Sequence, residues 1–312
     1  MKSFAFEPAP WLPVRDQEVL ERCRAIGRED YLRGGQPNLD ILLSPNPEAY
    51  WVADMFTRIR ASDALDRRVV MIVPNPCPTA YKTLAQLINH YHVSCRNVYT
   101  FNMDEWADQD GHIAPESYEA GFLHSFMRSF YGAIDPALRM KRENVRAPSD
   151  DNIAHYSDLI CECGEGGADV CYSGPGWTGH IAFIDPDAPE FACETLDAFL
   201  DMKARLVTLH PMTILQNSLH GCFGCSGDAA NVPPRAATIG PYDVKHARER
   251  LEVHAITTMG SFSSWQRMTS RLALFGPVSR QCPSSILQLW PTTVLVSESI
   301  AAPISCMEET GY

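Results

Sequence analysis

The sequence contains no run of lysine or arginine residues, and its 26 basic residues face 38 aspartates and glutamates. The formal net charge is −12. A protein that binds nucleic acid normally presents a concentrated basic surface to the phosphates, and an anionic membrane surface attracts the same kind of patch. We therefore expect no nucleic acid and no membrane among the partners of this chain.

Long apolar segments are also missing. No stretch approaches the roughly 18 to 20 residues of a membrane span. The N-terminus lacks the unbroken apolar stretch of a signal peptide, because Glu7, Pro8, Pro10 and Pro13 interrupt it. Eleven cysteines are scattered along the chain. We interpret them as buried free thiols in a reducing cytoplasm, which predicts a cytoplasmic protein.

Internal repeats and low-complexity linkers are absent as well, which favours one domain over two. Hydrophobic residues make up 45% of the 312 residues and charged residues 21%, as in ordinary globular proteins. We expect a peripheral N-terminal extension over residues 1–38, the main domain over 39–302 and a C-terminal tail over 303–312.

Short apolar runs alternate with amphipathic segments along this domain. The apolar runs predict strands at 68–73, 97–101, 168–172, 203–209, 252–258 and 292–297. The amphipathic segments predict helices at 16–26, 48–61, 78–92, 116–131 and 263–275. Such alternation predicts an α/β fold with a mostly parallel sheet and helices on both faces. Ligands of such sheets bind beyond the carboxyl ends of the strands.

Two polar segments follow predicted strands at that edge. The first is FNMDEW, which ends in Asp104, Glu105 and Trp106. A carboxylate at the end of a strand can support acid–base chemistry. Adjacent residues of an extended chain point to opposite sides, so at most one of the two carboxylates faces a ligand. The structural alternative is a carboxylate that caps a helix or a turn.

The second segment is SGPGWTGHIAFIDP, residues 173–186. Its glycines, Gly174, Gly176 and Gly179, allow the backbone to approach a ligand closely. His180 follows, and Asp185 lies five residues on. A carboxylate can fix the tautomer of an imidazole and support proton transfer, although glycine-rich turns and single histidines are often structural.

Together, FNMDEW and GHIAFIDP resemble the glucosamine-6-phosphate deaminase/isomerase family, whose wider superfamily includes the 6-phosphogluconolactonases. The resemblance extends over roughly residues 40–302. It implies a Rossmann-like three-layer α/β/α sandwich. It also implies an aldose–ketose isomerisation through an enediol-type intermediate, with loss of the amino group as ammonia. Further matches are Tyr81-Lys82, Val232-Pro233, Ala237-Thr238-Ile239-Gly240 and Ile286-Leu287-Gln288-Leu289.

The resemblance also implies roles for individual residues. Asp104 stands at the position of the general base that moves a proton between C1 and C2 of the open-chain sugar. His180 stands at the position of the ring-opening histidine, and Asp185 at that of a glutamate that orients this histidine. Proton transfer of this kind requires no cofactor and no metal, and a homo-oligomer is possible. Substrate-binding residues are expected at Asn75, Thr79, Glu105, Gly174, Gly176, Thr178 and Gly179.

The sequence departs from the family pattern near the histidine. Thr178 replaces an aspartate, and a hydroxyl cannot stabilise an imidazolium by charge. Asp185 is one methylene shorter than the family's glutamate, so its contact with His180 requires an adjustment of the backbone.

The largest departure lies after the first predicted strand, where the family has a turn whose backbone amides hold the sugar phosphate. Here Pro74, Pro76 and Pro78 remove N–H donors. Ile214 and Ser263 fall where the family has a phosphate-binding arginine and a lysine. We therefore predict a substrate other than glucosamine 6-phosphate bound in the family's way.

Three possibilities remain open for the handle of the substrate, by which we mean the part that the protein holds in place of the family's phosphate. They are an unphosphorylated sugar, a different acidic group, or a phosphate held by Arg267 or Arg271. Another placement of the loop leaves Asn75 and Thr79 in substrate binding. Two other functions also remain open, a lactone hydrolase and a catalytically weak sugar-binding protein. Finally, His220, Cys222 and Cys225 form a motif that is either a zinc site or a glycine-rich loop with incidental thiols.

Overall fold

The computed structural model describes residues 6–34, 36–255 and 265–304. In these ranges the strands are β1 (Leu39–Ser44), β2 (Val69–Val73), β3 (Val98–Asn102), β4 (Asp104–Ala107), β5 (Val145–Arg146), β6 (Val170–Ser173), β7 (Arg205–Thr208), β8 (Arg235–Thr238), β9 (Glu249–His254) and β10 (Thr292–Ser297). The α-helices are α1 (Gln17–Ala25), α2 (Arg28–Arg33), α3 (Pro47–Ala64), α4 (Pro78–His90), α5 (Phe122–Ser129), α6 (Tyr156–Cys163), α7 (Leu196–Leu200), α8 (Pro211–Ser218), α9 (Pro241–His246), α10 (Gln266–Phe275) and α11 (Glu298–Ala301).

Seven of the described strands form one parallel sheet in the order β1-β10-β9-β6-β2-β3-β5. Strand β2 is buried along its whole length, and its alternate side chains enter two different hydrophobic clusters. Val70 and Ile72 belong to one cluster, whereas Val69, Met71 and Val73 belong to the other. Both faces of the sheet are therefore covered, and the predicted α/β domain with a mostly parallel sheet is confirmed.

A second sheet, β4-β8-β7, is antiparallel and was not predicted. Strand β4 begins one residue after β3, so FNMDEW runs directly from the large sheet into the small one. Met103 lies between them: its N–H donates to Val73 O, and its carbonyl accepts from the N–H of Ile239. The sequence hides β8 because RAAT has little β propensity. The junction holds Asp104 at the edge where the large sheet ends.

The N-terminal residues pack more tightly against the domain than a peripheral extension suggests. Helix α2 and strand β1 were not predicted, and β1 pairs with β10 along its whole length. Tyr31 is fully buried, and its hydroxyl donates to Ser270 Oγ on α10. The boundary at residue 38 stays a prediction.

The helix predicted over 116–131 is wrong in its first part, because residues 115–121 form turns and α5 begins at Phe122. The end of the strand predicted over 252–258 and the start of the helix predicted over 263–275 lie outside the described residues. Ten cysteines fall in the described ranges, and all are free thiols. No helix among the described residues is long and apolar enough to cross a membrane.

Candidate active site

A cavity of about 450 Å³ opens at the carboxyl ends of β2, β6 and β9. Its walls come from residues 74–79, which lead from β2 into the first turn of α4 and are called loop 74–79, from the β3–β4 junction, from residues 173–176 at the end of β6, and from the end of α8. Both Asp104 and His180 line it, as the shared-site prediction requires. The other predicted residues along its walls are Asn75, Thr79, Gly174 and Gly176.

The first of these catalytic candidates, Asp104, is about 5% exposed, and its Oδ1 has no hydrogen-bond partner among the described residues. Burial, with a smaller contribution from the charge of Glu105, raises the pKa of the Asp104 carboxyl well above its usual range. A carboxylate with a raised pKa is a stronger base than an ordinary aspartate, and the free oxygen is available to a ligand.

Glu105 was predicted to bind substrate, but it is not among the described residues that line the cavity. Its carboxylate points away from the cavity, as alternation along β4 requires. It accepts hydrogen bonds from the backbone N–H groups of Trp106, Phe122 and Leu123 at 2.9, 3.0 and 2.7 Å. Two of these donors belong to the first turn of α5, where N–H groups have no partner inside the helix. Glu105 therefore holds the start of α5, and burial raises its pKa to about 7.

His180 is fixed from behind by Asp185. The Nδ1 atom of His180 lies 2.8 Å from Asp185 Oδ1, and the Asp185 side chain is fully buried. The shorter side chain reaches the ring because the chain turns tightly between the two residues, with Ala182 at a positive φ of 51°. Burial acts to raise the pKa of Asp185, but the imidazole and several hydrogen bonds outweigh burial and lower it. Asp185 is thus held as a carboxylate.

Thr178 and Gly179, also predicted to bind substrate, are not among the described residues that line the cavity, and their contact with substrate stays a prediction. The Thr178 hydroxyl donates to Asp185 Oδ1 at 2.8 Å and accepts the N–H of His180 at 3.3 Å. Thr178, which replaces the family's aspartate, thus hydrogen-bonds the carboxylate of Asp185. Gly179 has a φ of +83°, and a Cβ there would lie 2.7 Å from Cys282 Sγ.

Gly176 lines the cavity at a point where any side chain would overlap the imidazole of His180. A Cβ on Gly176 would lie 1.8 Å from His180 Nε2 and 2.4 Å from Cε1. The N–H of Gly176 also donates to the carbonyl of His180 at 3.0 Å. The glycine therefore leaves room for the imidazole to face the cavity.

The loop that corresponds to the family's phosphate-binding turn contains Pro74, Pro76 and Pro78, which have no N–H to donate. None of the described residues that line the cavity is a lysine or an arginine, and its acidic members are Glu48 and Asp104. Ile214 packs against the hydrophobic core instead of lining the cavity. Ser263 lies outside the described residues.

Neither Arg267 nor Arg271, the arginines suggested to hold a phosphate, lines the cavity. The guanidinium of Arg271 is completely buried and donates to the carbonyls of Ile26, Ile300 and Ala302. Arg267 donates to the carbonyl of Ala302 at 2.9 Å. Both arginines join α10 to its surroundings.

Besides Asp104, other polar side chains of the cavity hold atoms without a partner among the described residues, and two of these residues, Trp51 and His220, were not anticipated there. The indole Nε1 of Trp51 and the side-chain amide of Asn75 are buried without hydrogen-bond partners in the described part of the chain, and so is His220 Nε2. Trp51 was assigned only to the apolar face of its helix, and His220 only to a zinc motif or a loop. The position of His220, two residues after the end of α8, was the signal that could have placed it at the cavity. Buried polar groups normally have partners, so these atoms are available for hydrogen bonds to a polar ligand.

The zinc reading of His220, Cys222 and Cys225 gains no support. Across the described ranges, no three histidine, cysteine, aspartate or glutamate side chains are grouped to hold a metal ion. Burial, with the nearby His180, lowers the pKa of His220 to about 4. Burial raises the pKa of Cys222 to about 11, so its thiol is protonated at neutral pH.

Solved structures share this architecture. A monomeric glucosamine-6-phosphate deaminase matches with a TM-score of 0.64 and 20% identity, covering 84% of this chain and 98% of that one. The 6-phosphogluconolactonase of Leishmania guyanensis matches with a TM-score of 0.58 and 13% identity, covering 87% and 100%. At these identities the likeness concerns the fold alone.

Comparison with the sequences of individual proteins identifies the family. A comparison with models of protein families found no match. A protein of Corynebacterium kroppenstedtii named glucosamine-6-phosphate deaminase is 30% identical over 239 residues, which cover 74% of this chain and 79% of that protein. A protein of the same name from Corynebacterium aurimucosum is 30% identical over 268 residues, covering 85% and 93%. This chain belongs to the glucosamine-6-phosphate deaminase family.

Proposed function

We propose that this chain is an enzyme that isomerises an aldose and a ketose, with an amino sugar or a sugar as substrate and with possible release of ammonia. Asp104 is the general base, His180 opens the sugar ring, and Asp185 orients His180. The relatives named glucosamine-6-phosphate deaminase support the reaction class.

One observation carries the proposal: a buried carboxylate oxygen without a partner and an oriented imidazole line the same cavity. Glu105, by contrast, has its carboxylate paired with three backbone donors. The arrangement fits a reaction in which one group handles a proton on carbon and another handles a proton on oxygen.

In the first step His180 acts at the ring oxygen. Nδ1–H donates to Asp185, so neutral His180 has its Nε2 lone pair free on the cavity side. It takes the proton of the anomeric hydroxyl and returns a proton to the ring oxygen, which leaves an open-chain aldose. Asp104 then removes the proton from C2 while O1 takes up a proton, which gives an enediol-type intermediate. Asp104 delivers the proton to C1 as O2 loses its own proton, which leaves the ketose. Met103, Phe122 and Phe183 keep the cavity walls apolar.

The handle of the substrate differs from that of the family. Loop 74–79 offers few amides, and no described lining residue is cationic. A phosphate dianion placed there would be buried unpaired, which costs several kcal/mol. The partnerless Trp51 Nε1 and Asn75 amide instead suit sugar hydroxyls, which both donate and accept. We propose that no phosphate is held at 74–79.

The test is Asp104→Asn, with turnover measured on a panel of phosphorylated and unphosphorylated aldoses and amino sugars. Loss of a general base lowers kcat by about 10²- to 10⁴-fold. Ligand binding, followed by thermal shift, should persist because Asn is nearly isosteric. Asp110→Asn, an exposed aspartate near the end of β4, is the matched control and should keep full activity.

Three results contradict parts of the proposal. Ligand-dependent stabilisation without turnover of any sugar indicates a sugar-binding protein. Hydrolysis of sugar lactones that survives Asp104→Asn indicates a lactone hydrolase. A phosphate or sulfate ion bound against residues 74–79 contradicts the changed handle.

A further inference from the structure

A second cavity, of about 520 Å³, adjoins the candidate active site. Four residues line both cavities: Pro76, Pro78, Thr79 and His220. The second cavity extends from this shared wall between α4, α5 and the segment after α8. The two cavities therefore meet at a wall that contains Thr79 and His220.

The charge of the two cavities differs. The first has no cationic residue among its described lining, whereas the second is lined by Lys82 of α4 and Arg128 of α5. Neither cation has an ion pair or hydrogen bond in the described part of the chain. Both side chains are exposed. Arg58, by contrast, bonds Asp54 at 2.8 Å. One carboxylate, Glu119, also lines the second cavity.

His220 lies in the wall between the cavities, and its Nε2 is buried without a partner. Because burial keeps this imidazole neutral, its ring nitrogen can either donate or accept a hydrogen bond. A ligand that extends from one cavity to the other beside His220 can provide the missing hydrogen-bond partner. Proton transfer in the first cavity makes no use of His220.

We propose that the second cavity is a subsite for an anionic group of the substrate, a phosphate monoester or a carboxylate, held by Lys82 and Arg128 and reached past His220. The inference rests on the proposed function and names the substrate class of that same site. Two cations suit a dianion or a carboxylate, since hydrogen bonds to ionised groups are roughly twice as strong as neutral ones. The first cavity then holds the sugar, and the second holds the handle that loop 74–79 no longer binds.

The experiment uses the full chain with Lys82→Gln, Arg128→Gln and both together. Substrates are an active sugar from the panel, its 6-phosphate and the corresponding sugar acid. The double variant should raise KM at least tenfold for the anionic substrate, with kcat within twofold and the neutral sugar unchanged. The sugar phosphate and the sugar acid distinguish the two sources of the anion. Arg60→Gln, an exposed arginine of α3, is the control and should change nothing.

A second readout separates this inference from the proposed function. Inorganic phosphate should raise the melting temperature of the wild-type chain and of Arg60→Gln, but not that of the double variant, whether or not any sugar is turned over. Equal stabilisation of all variants, or of none, overturns the subsite. Equal loss of activity on neutral and anionic sugars in the double variant overturns it as well.

Discussion

Asp185 Oδ1 lies 2.8 Å from His180 Nδ1, and the same carboxylate accepts hydrogen bonds from Thr178, Thr213 and the backbone N–H of His210. A carboxylate that accepts hydrogen bonds from several donors remains ionised, and an ionised partner requires that Nδ1 carry the ring proton. The neutral ring then has its Nε2 lone pair directed to the cavity. The orientation and the tautomer of His180 thus depend on one side chain.

Asp185→Asn tests this dependence. An asparagine can keep the shape of the network but presents no charge, so the preferred tautomer and the stability of the imidazolium are lost. We expect kcat to fall by about 10²- to 10⁴-fold with a small change in KM, as for the loss of an orienting aspartate. Asp187→Asn, a nearby aspartate at a positive φ that asparagine tolerates, should retain activity. Activity of Asp185→Asn near the wild-type value would contradict the assigned role.

Gly176→Ala tests the space reserved for the imidazole. The new methyl group would lie within about 2.4 Å of three ring atoms of His180, so the ring must leave its position. Displacement of a reacting group by about 1 Å can reduce the rate about 10²-fold, and we expect at least this loss in kcat/KM. Gly27→Ala, where a Cβ meets nothing within 4 Å, is the control. A crystal structure of Gly176→Ala with His180 unmoved would refute the explanation.

Glu105→Gln tests the electrostatic coupling across β4. The charge of Glu105 adds to burial in raising the pKa of Asp104, so its removal lowers that pKa. Asp104 is active as the carboxylate, and the acid limb of kcat/KM against pH reports its pKa in the free enzyme. We expect this limb to move to lower pH in Glu105→Gln and to stay in place in Glu143→Gln, an exposed control. A limb that moves to higher pH contradicts the coupling.

Strands β2, β3, β6 and β10 of the large sheet could be predicted because they are short apolar runs, which burial on both faces imposes. Strand β10 was found at its observed bounds, 292–297. The small antiparallel sheet could not be predicted, since β4 and β8 carry no comparable run and depend on pairing between distant segments. Strand β1, with the burial pattern of an edge strand, was likewise missed.

The candidate site was predictable where a motif carried it. Asp104, His180 and Asp185 lie in two segments that the sequence marks, and the structure brings those segments to one cavity. The orientation of Glu105 could not be predicted. Asp104 faces the cavity, whereas Glu105 accepts hydrogen bonds from three backbone N–H groups later in the chain. Which of two adjacent carboxylates points inward depends on the register of β4 with β8, and that register is a long-range property.

The burial of His220 predicts a specific dependence of stability on pH. Its pKa is about 4 in the folded chain against 6.5 for an ordinary histidine, so between these values the unfolded state binds more protons. The free energy of unfolding that neutral His220 contributes is complete above pH 6.5 and is lost as the pH falls towards 4. One pKa unit corresponds to about 1.4 kcal/mol, which allows up to about 3 kcal/mol.

His220→Gln removes this titration, so denaturant unfolding at pH 7 and pH 4 should show a smaller acid loss than in the wild type. His155→Gln, an exposed histidine, should behave as the wild type does. Equal acid losses in the wild type and His220→Gln would show that His220 titrates normally and is open to water.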